Sequence, residues 1–174
     1  GKTGQLYELA TDTTSITAID LPDRTNLIRE NIQRLKGHVD IIDGDVTEPD
    51  RWWDGKPYDR IILDAPCSGS GVIRRHPDIR VLRRHTDIPR FSCNQLNMIQ
   101  QLWPLLRRGG CLLYITCSIF PAENDAVIEL LLENTKDACS VPSDYSLGES
   151  TRFGRQFLPC SEGDGLYYAI VQKC

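Results

Sequence analysis

Arg60-Ile61-Ile62-Leu63-Asp64-Ala65-Pro66-Cys67-Ser68-Gly69-Ser70-Gly71 runs from a strand-like apolar segment, through an acid, into a turn rich in glycine and serine. A second stretch has the same design: Cys111-Leu112-Leu113-Tyr114-Ile115 leads into Thr116-Cys117-Ser118. Short apolar runs that end in turn residues read as buried strands. In an open α/β sheet, ligands occupy the crevice beyond the carboxyl ends of the strands. Two cysteines just past two such ends can therefore face one pocket, although 50 positions separate them. Two thiols at one pocket point to covalent chemistry, because a thiolate is a strong nucleophile near neutral pH.

Working outward, Ser15 to Asp20 reads as a short strand ending in an acid. Asp23 to Lys36 reads as an amphipathic helix with Leu27, Ile28, Ile32 and Leu35 on one side, stopped by Gly37. Val39 to Ile42 forms a strand closed by Asp43-Gly44-Asp45, and Tyr58 to Leu63 forms another after the Trp52-Trp53 loop. A helix is expected from Ile88 to about Arg107, with Pro104 kinking or ending it before Gly109-Gly110 turns the chain into the Cys111 strand. Pro121 opens a helix through about Asn134, and Leu166 to Val171 alternates weakly, as in a final antiparallel pair at a sheet edge. The pattern from Lys136 to Gly154 assigns no element. Strands alternating with helices imply an α/β fold with a mostly parallel, doubly wound sheet and right-handed crossovers.

Composition bounds the function. A length of 174 residues with 40% hydrophobic content suits one domain with a real core. No apolar run approaches the ~20 residues that cross a bilayer, and no signal-like segment opens the chain, so a cytoplasmic protein without membrane association is expected. Seven cysteines, odd in number and without a Cys-x-x-Cys pair, argue against a disulfide framework and against a structural metal site, and read as reduced thiols. The net charge of −4 excludes a uniformly basic surface. Yet Arg74, Arg75, Arg80, Arg83, Arg84 and Arg90, with His76 and His85, crowd the segment directly after the Cys67 turn. Such a segment can hold an RNA backbone beside the pocket; the alternative is a solvated face of a surface helix.

The two cysteine turns resemble those of the RNA cytosine-5 methyltransferases of the Sun/Nop2 type, whose signatures are an aspartate-alanine-proline-cysteine turn and a threonine-cysteine-serine turn. The likeness extends through Gly1-Lys2-Thr3, Asp20, Gly44-Asp45, Arg74-Arg75-His76-Pro77-Asp78, Glu123-Asn124 and Gly163-Asp164-Gly165. Gly71 to Ile79 points toward the bacterial members that act on small-subunit ribosomal RNA. The resemblance implies a Rossmann-like class I S-adenosylmethionine-dependent methyltransferase with an antiparallel carboxyl-terminal edge. Gly1-Lys2-Thr3 would then be the tail of a glycine-rich loop. The first central strand and an RNA-binding domain would lie upstream, making residues 1 to 174 a catalytic domain that is not expected to fold well alone.

The same resemblance assigns roles. Cys117 attacks C6 of cytosine, C5 takes the methyl group of S-adenosylmethionine, and Cys67 assists release. Asp64 interacts with the base and also touches the cofactor. Asp20 binds its ribose hydroxyls, Asp45 its adenine or neighbouring ribose, and Gly1 and Lys2 border its methionine end. Arg74, Arg75, His76, Arg80, Arg83 and Arg84 face RNA, ribosomal RNA above all, and no obligate protein partner is implied. Strand-end acids alone also read as turn and cap residues. Two rival readings are a non-catalytic RNA-binding module and a phosphate-loop nucleotidase with Gly1-Lys2-Thr3 as its loop, but the nucleotidase leaves both cysteine turns unexplained.

Overall fold

The computed structural model describes residues 1–142 and 146–174, and the chain forms two units, Gly1–Asp54 and Gly55–Cys174. Part of the 136–154 stretch left unassigned above therefore lies outside the described residues.

In the first unit, α1 (Lys2–Leu9) precedes β1 (Thr17–Asp20), α2 (Pro22–Arg34) and β2 (Asp40–Asp43). Lys2 and Thr3 thus begin a helix where a loop tail was expected. β1 and β2 pair in parallel, Thr17 opposite Asp40 through Asp20 opposite Asp43, with α2 as the crossover. Pro22 supplies a preset φ at the start of α2, and Asp23 complements the positive end of the helix dipole. Ala18, Ile32 and Val39 form the buried core, with Tyr7, Ile16, Ile28 and Ile41 packed against it. Leu27 is not on that face: it is 68% exposed, and Thr25 is buried instead. The stop of α2 also differs from expectation. Lys36, at φ 53, makes the left-handed turn. Gly37 follows because a side chain there would meet the Tyr7 ring at 2.7 Å.

The second unit contains β3 (Tyr58–Asp64), α3 (Ile79–Leu82), α4 (Asp87–Leu102), β4 (Leu106–Thr116), α5 (Asp125–Asn134), β5 (Ala138–Val141), β6 (Glu149–Ser150), β7 (Gly154–Phe157) and β8 (Leu166–Lys173). β3 and β4 are parallel, Arg60 opposite Cys111 through Asp64 opposite Ile115, so Cys67 and Cys117 leave the sheet from the same end. β8 runs antiparallel to β4, as the carboxyl-terminal pattern implied, but it is not the edge. Its other side is shared by β7, against residues 166–169, and β5, against residues 170–173. The helix expected to reach Arg107 ends at Leu102: Pro104 falls in a 3-10 turn over Trp103–Leu105, and β4 begins at Leu106. Ile99, Leu112, Val127, Ile128, Leu131 and Val171 are fully buried, each such aliphatic side chain contributing about 1.5–3 kcal/mol. Tyr114 and Tyr167 meet edge to face, with ring centres 6.3 Å apart.

Not all cysteines are free thiols: Cys139 and Cys174 are joined in a disulfide. Their spacing of 35 gave no sign of it; the antiparallel register of β5 on β8 brings them together, since Cys139 faces Gln172. Among the described residues, no helix is long and apolar enough to cross a membrane.

Candidate active site

The backbone carries both cysteines beyond the ladder and then ties their turns together. Ala65 N–H donates to Ile115 O at 2.9 Å, one step past the last strand pair, and Gly71 N–H donates to Cys117 O at 2.8 Å. Between these bonds the chain loops outward through Pro66, Cys67 and Ser68. It closes at Gly69, whose φ of 76 is the left-handed conformation that glycine adopts at no steric cost. The result places Cys67 Sγ 3.1 Å from Cys117 Sγ, both thiols partly exposed. The hydrogen bond with Cys117, followed by burial and the charge of Cys117, pushes the Cys67 thiol well above the usual cysteine range. Cys67 therefore holds its proton more tightly than an isolated thiol does.

Beneath the sulfurs lies a buried polar network. Glu123 is fully buried; Oε1 accepts from Ser68 N–H at 2.8 Å and from Gln95 Nε2 at 3.2 Å, and Oε2 accepts from Ser118 Oγ at 2.6 Å. Asn124 accepts from Thr116 Oγ1 at 2.6 Å and donates to Ser118 O at 3.0 Å and to Gln156 at 2.8 Å. Gln95 also donates to Pro66 O at 2.9 Å, holding the proline that shapes the Cys67 turn. In the sequence Ser68, Ser118, Glu123 and Asn124 stand inside the motifs without a role of their own, and Gln95 stands outside them. The one signal for Gln95 is its place on the buried stripe of α4 with Ile99 and Leu102, where a polar side chain must have internal partners.

The other expected residues fall as follows. Asp64 is exposed at the carboxyl end of β3, three residues before Cys67. Asp20 ends β1, and its Oδ1 accepts Leu21 N–H at 2.8 Å. Asp45 lies just past β2, where Oδ1 accepts both Thr47 N–H at 2.8 Å and Thr47 Oγ1–H at 2.7 Å. These bonds, the backbone one first, hold its carboxyl below the usual carboxylate range. Trp52 leans over Gly44 and donates Nε1–H to Asp45 O at 2.7 Å, so it packs the strand end as expected of a loop tryptophan. Gly1 and Lys2 open α1. A cavity of about 360 Å³ in this unit is lined by residues 12–16 and 38–40, at the amino-terminal ends of β1 and β2 and so away from these acids.

Of the basic segment, Arg75 pairs with Asp164, which Arg74 also approaches at 3.6 Å while donating to Ser161 O at 3.2 Å. Arg83 donates Nε–H to Ser68 O at 2.9 Å and stacks over Phe91 at 5.0 Å, which gives it a part in holding the Cys67 turn. His76, Arg80 and Arg84 have exposed side chains.

Parallel strands joined by helical crossovers, acids at their carboxyl ends and an antiparallel carboxyl-terminal run define a class I S-adenosylmethionine-dependent methyltransferase fold. Solved structures agree. NSun6 from Pyrococcus horikoshii, with SFG, matches with a TM-score of 0.87 and 27% identity over 99% of this chain and 45% of its own. A methyltransferase homolog protein from Pyrococcus horikoshii matches with a TM-score of 0.83 and 29% identity over 100% of this chain and 58% of its own. The chain belongs to the 16S rRNA methyltransferase RsmB/F family, whose model matches residues 1–172. The ribosomal RNA small subunit methyltransferase B of Vibrio cholerae serotype O1 is 45% identical over 99% of this chain, and that of Pseudomonas putida 44% identical over 99%. The chain spans 39% and 40% of the length of these two relatives.

Proposed function

We propose that the protein containing this chain transfers a methyl group from S-adenosylmethionine to C5 of a cytosine in small-subunit ribosomal RNA, in the cytoplasm, through a covalent bond between Cys117 Sγ and C6. Residues 1–174 would be its catalytic domain, with a further central strand and an RNA-binding domain supplied upstream. The observation that carries the reading is the 3.1 Å approach of two partly exposed sulfurs beyond the carboxyl ends of two adjacent parallel strands. The RNA class follows the names of the relatives.

C5 of cytosine is a weak nucleophile. Addition of the Cys117 thiolate forms an S–C6 bond and drives the C5–C6 electron pair onto C5. Bound S-adenosylmethionine supplies the electrophilic methyl group that C5 then takes. Loss of the C5 proton returns the electron pair, the C6–Sγ bond breaks and the aromatic ring is restored. Cys67 suits the proton steps. While Cys117 is a thiolate, the Cys67 proton is held by it; once Cys117 is a thioether, the hydrogen bond and charge that raised Cys67 are gone, and its thiol ionises more readily. Asp64 would stabilise charge developing on the base at N3 and the exocyclic amine, and would also touch the cofactor.

The donor set suits the cofactor. Both Thr47 bonds to Asp45 fall on Oδ1, leaving Oδ2 for the adenine or a ribose hydroxyl, and Asp20 at the end of β1 takes the ribose. Gly1 and Lys2 open α1, whose first amide groups suit the methionine carboxylate. Arg74, Arg75, His76, Arg80 and Arg84 would contact RNA phosphates, whereas Arg83, bonded to Ser68 O and stacked on Phe91, would act by holding the Cys67 turn. The test uses the intact protein with ribosomal RNA and S-adenosylmethionine. Cys117→Ala abolishes the covalent protein–RNA species, whereas Cys67→Ala makes it accumulate. Identical behaviour of the two variants on denaturing gels would refute the division of labour.

A further inference from the structure

We infer that Glu123 is a positioning residue for this reaction: its buried carboxylate ties the Cys67 turn to the Cys117 turn and thereby sets the approach of the two sulfurs. The inference rests on the covalent role proposed for Cys117.

Each carboxylate oxygen serves one turn. Oε1 accepts the backbone N–H of Ser68, the residue after Cys67, and Oε2 accepts the hydroxyl of Ser118, the residue after Cys117. The residue itself is anchored, since Tyr114 OH on β4 donates to Glu123 O at 2.7 Å. Weaker links run alongside: Ser118 Oγ lies 3.2 Å from Ser70 Oγ and 3.4 Å from Ser68 Oγ.

An acid in the first turn before a helix ordinarily serves the helix dipole from the surface. Glu123 does not. It is 0% exposed, and its described partners are an amide N–H, a side-chain amide and a hydroxyl, none of them cationic. A buried carboxylate without a counter-charge is a poor means of gaining stability, and a well-packed apolar side chain serves that end as well or better. What the carboxylate supplies is geometry: two acceptor oxygens at fixed separation, one for each catalytic turn. Without it, neither Ser68 N–H nor Ser118 Oγ keeps its carboxylate acceptor, and the turns are free to separate. A misplacement of about 1 Å at a reacting centre costs on the order of 100-fold in rate.

The test measures the rate at which the intact protein forms the Cys117–RNA adduct on RNA carrying 5-fluorocytosine, at saturating RNA and S-adenosylmethionine, beside dissociation constants for both. Glu123→Ala is expected to slow adduct formation by about 10- to 100-fold while leaving both dissociation constants within about twofold. Glu123→Gln keeps one acceptor oxygen and falls between, a graded rescue that a general packing role does not give. Ser118→Ala removes the Oε2 anchor without emptying the buried site, and slows the step even if Glu123→Ala does not fold. Adduct formation at the full rate in Glu123→Ala or Ser118→Ala overturns the inference, as does a loss of cofactor affinity that matches the loss of rate. No adduct in the unsubstituted protein would instead sink the covalent reading on which the inference stands.

Discussion

Gly71→Ala is expected to pry the Cys67 turn away from the loop that covers it. A Cβ at Gly71 would lie 2.3 Å from Gly165 O, 2.7 Å from its carbonyl carbon and 2.8 Å from its Cα. All three are backbone atoms, so no rotamer change relieves the clash. Gly165 must retreat by about 1 Å to restore ordinary contact, and overpacking of this kind costs about 1–3 kcal/mol. The retreat also strains two hydrogen bonds of 2.8 Å, Gly165 N–H to Gly71 O and Gly71 N–H to Cys117 O, each contributing about 1 kcal/mol. The loss is about 1–5 kcal/mol, the upper end holding if both bonds are broken. Urea unfolding of the intact protein reads it as a lower midpoint with an unchanged slope. Gly163→Ala is the control: nothing lies within 4 Å of its Cβ position, and its φ is not left-handed, so the change stays within about 0.5 kcal/mol. A Gly71→Ala protein as stable as the Gly163→Ala control would refute the close-approach argument.

Two further outcomes follow from the site. Because Cys117 is the first cause of the raised Cys67 thiol, Cys117→Ala shifts the pH profile of Cys67 alkylation by iodoacetamide to lower pH, read by mass spectrometry of the Cys67 peptide; an unchanged profile would show that burial alone sets it. Arg83→Ala, losing the bond to Ser68 O and the stacking on Phe91, lowers stability by about 1–2 kcal/mol, with a deficit in RNA binding that does not depend on salt. Arg84→Ala leaves stability unchanged but weakens RNA binding and reduces the slope of log K against log salt by about 1; equal salt slopes in the two variants would contradict this division.

The features legible in the sequence are those written locally. β3 and β4 announce themselves as apolar runs that end in turn residues, and α2 by its apolar spacing, so the chain alone places the two cysteine turns past two strand ends; that these strands are neighbours depends on their pairing register. Leu27 escaped because one residue's rotation around a helix separates a buried face from a solvated one, and Thr25 at 0% exposure fills the buried place. β6 is two polar residues long, and β5 and β7 are four residues each; their existence depends on pairing with β8 or with one another rather than on any period of their own. The Cys139–Cys174 disulfide depends on the same register. The role of Glu123 has no local signature because its burial is created at long range: Ser68, 55 positions earlier, brings the amide that the carboxylate accepts.

The most direct measurement incubates the intact protein with S-adenosylmethionine and ribosomal RNA carrying 5-fluorocytosine, whose fluorine cannot leave C5 as a proton does, and maps the trapped species by peptide mass spectrometry. A methylated nucleotide bonded to Cys117 is the predicted result. An adduct at Cys67, or none at all with cofactor and RNA both shown to bind, would contradict the covalent role of Cys117.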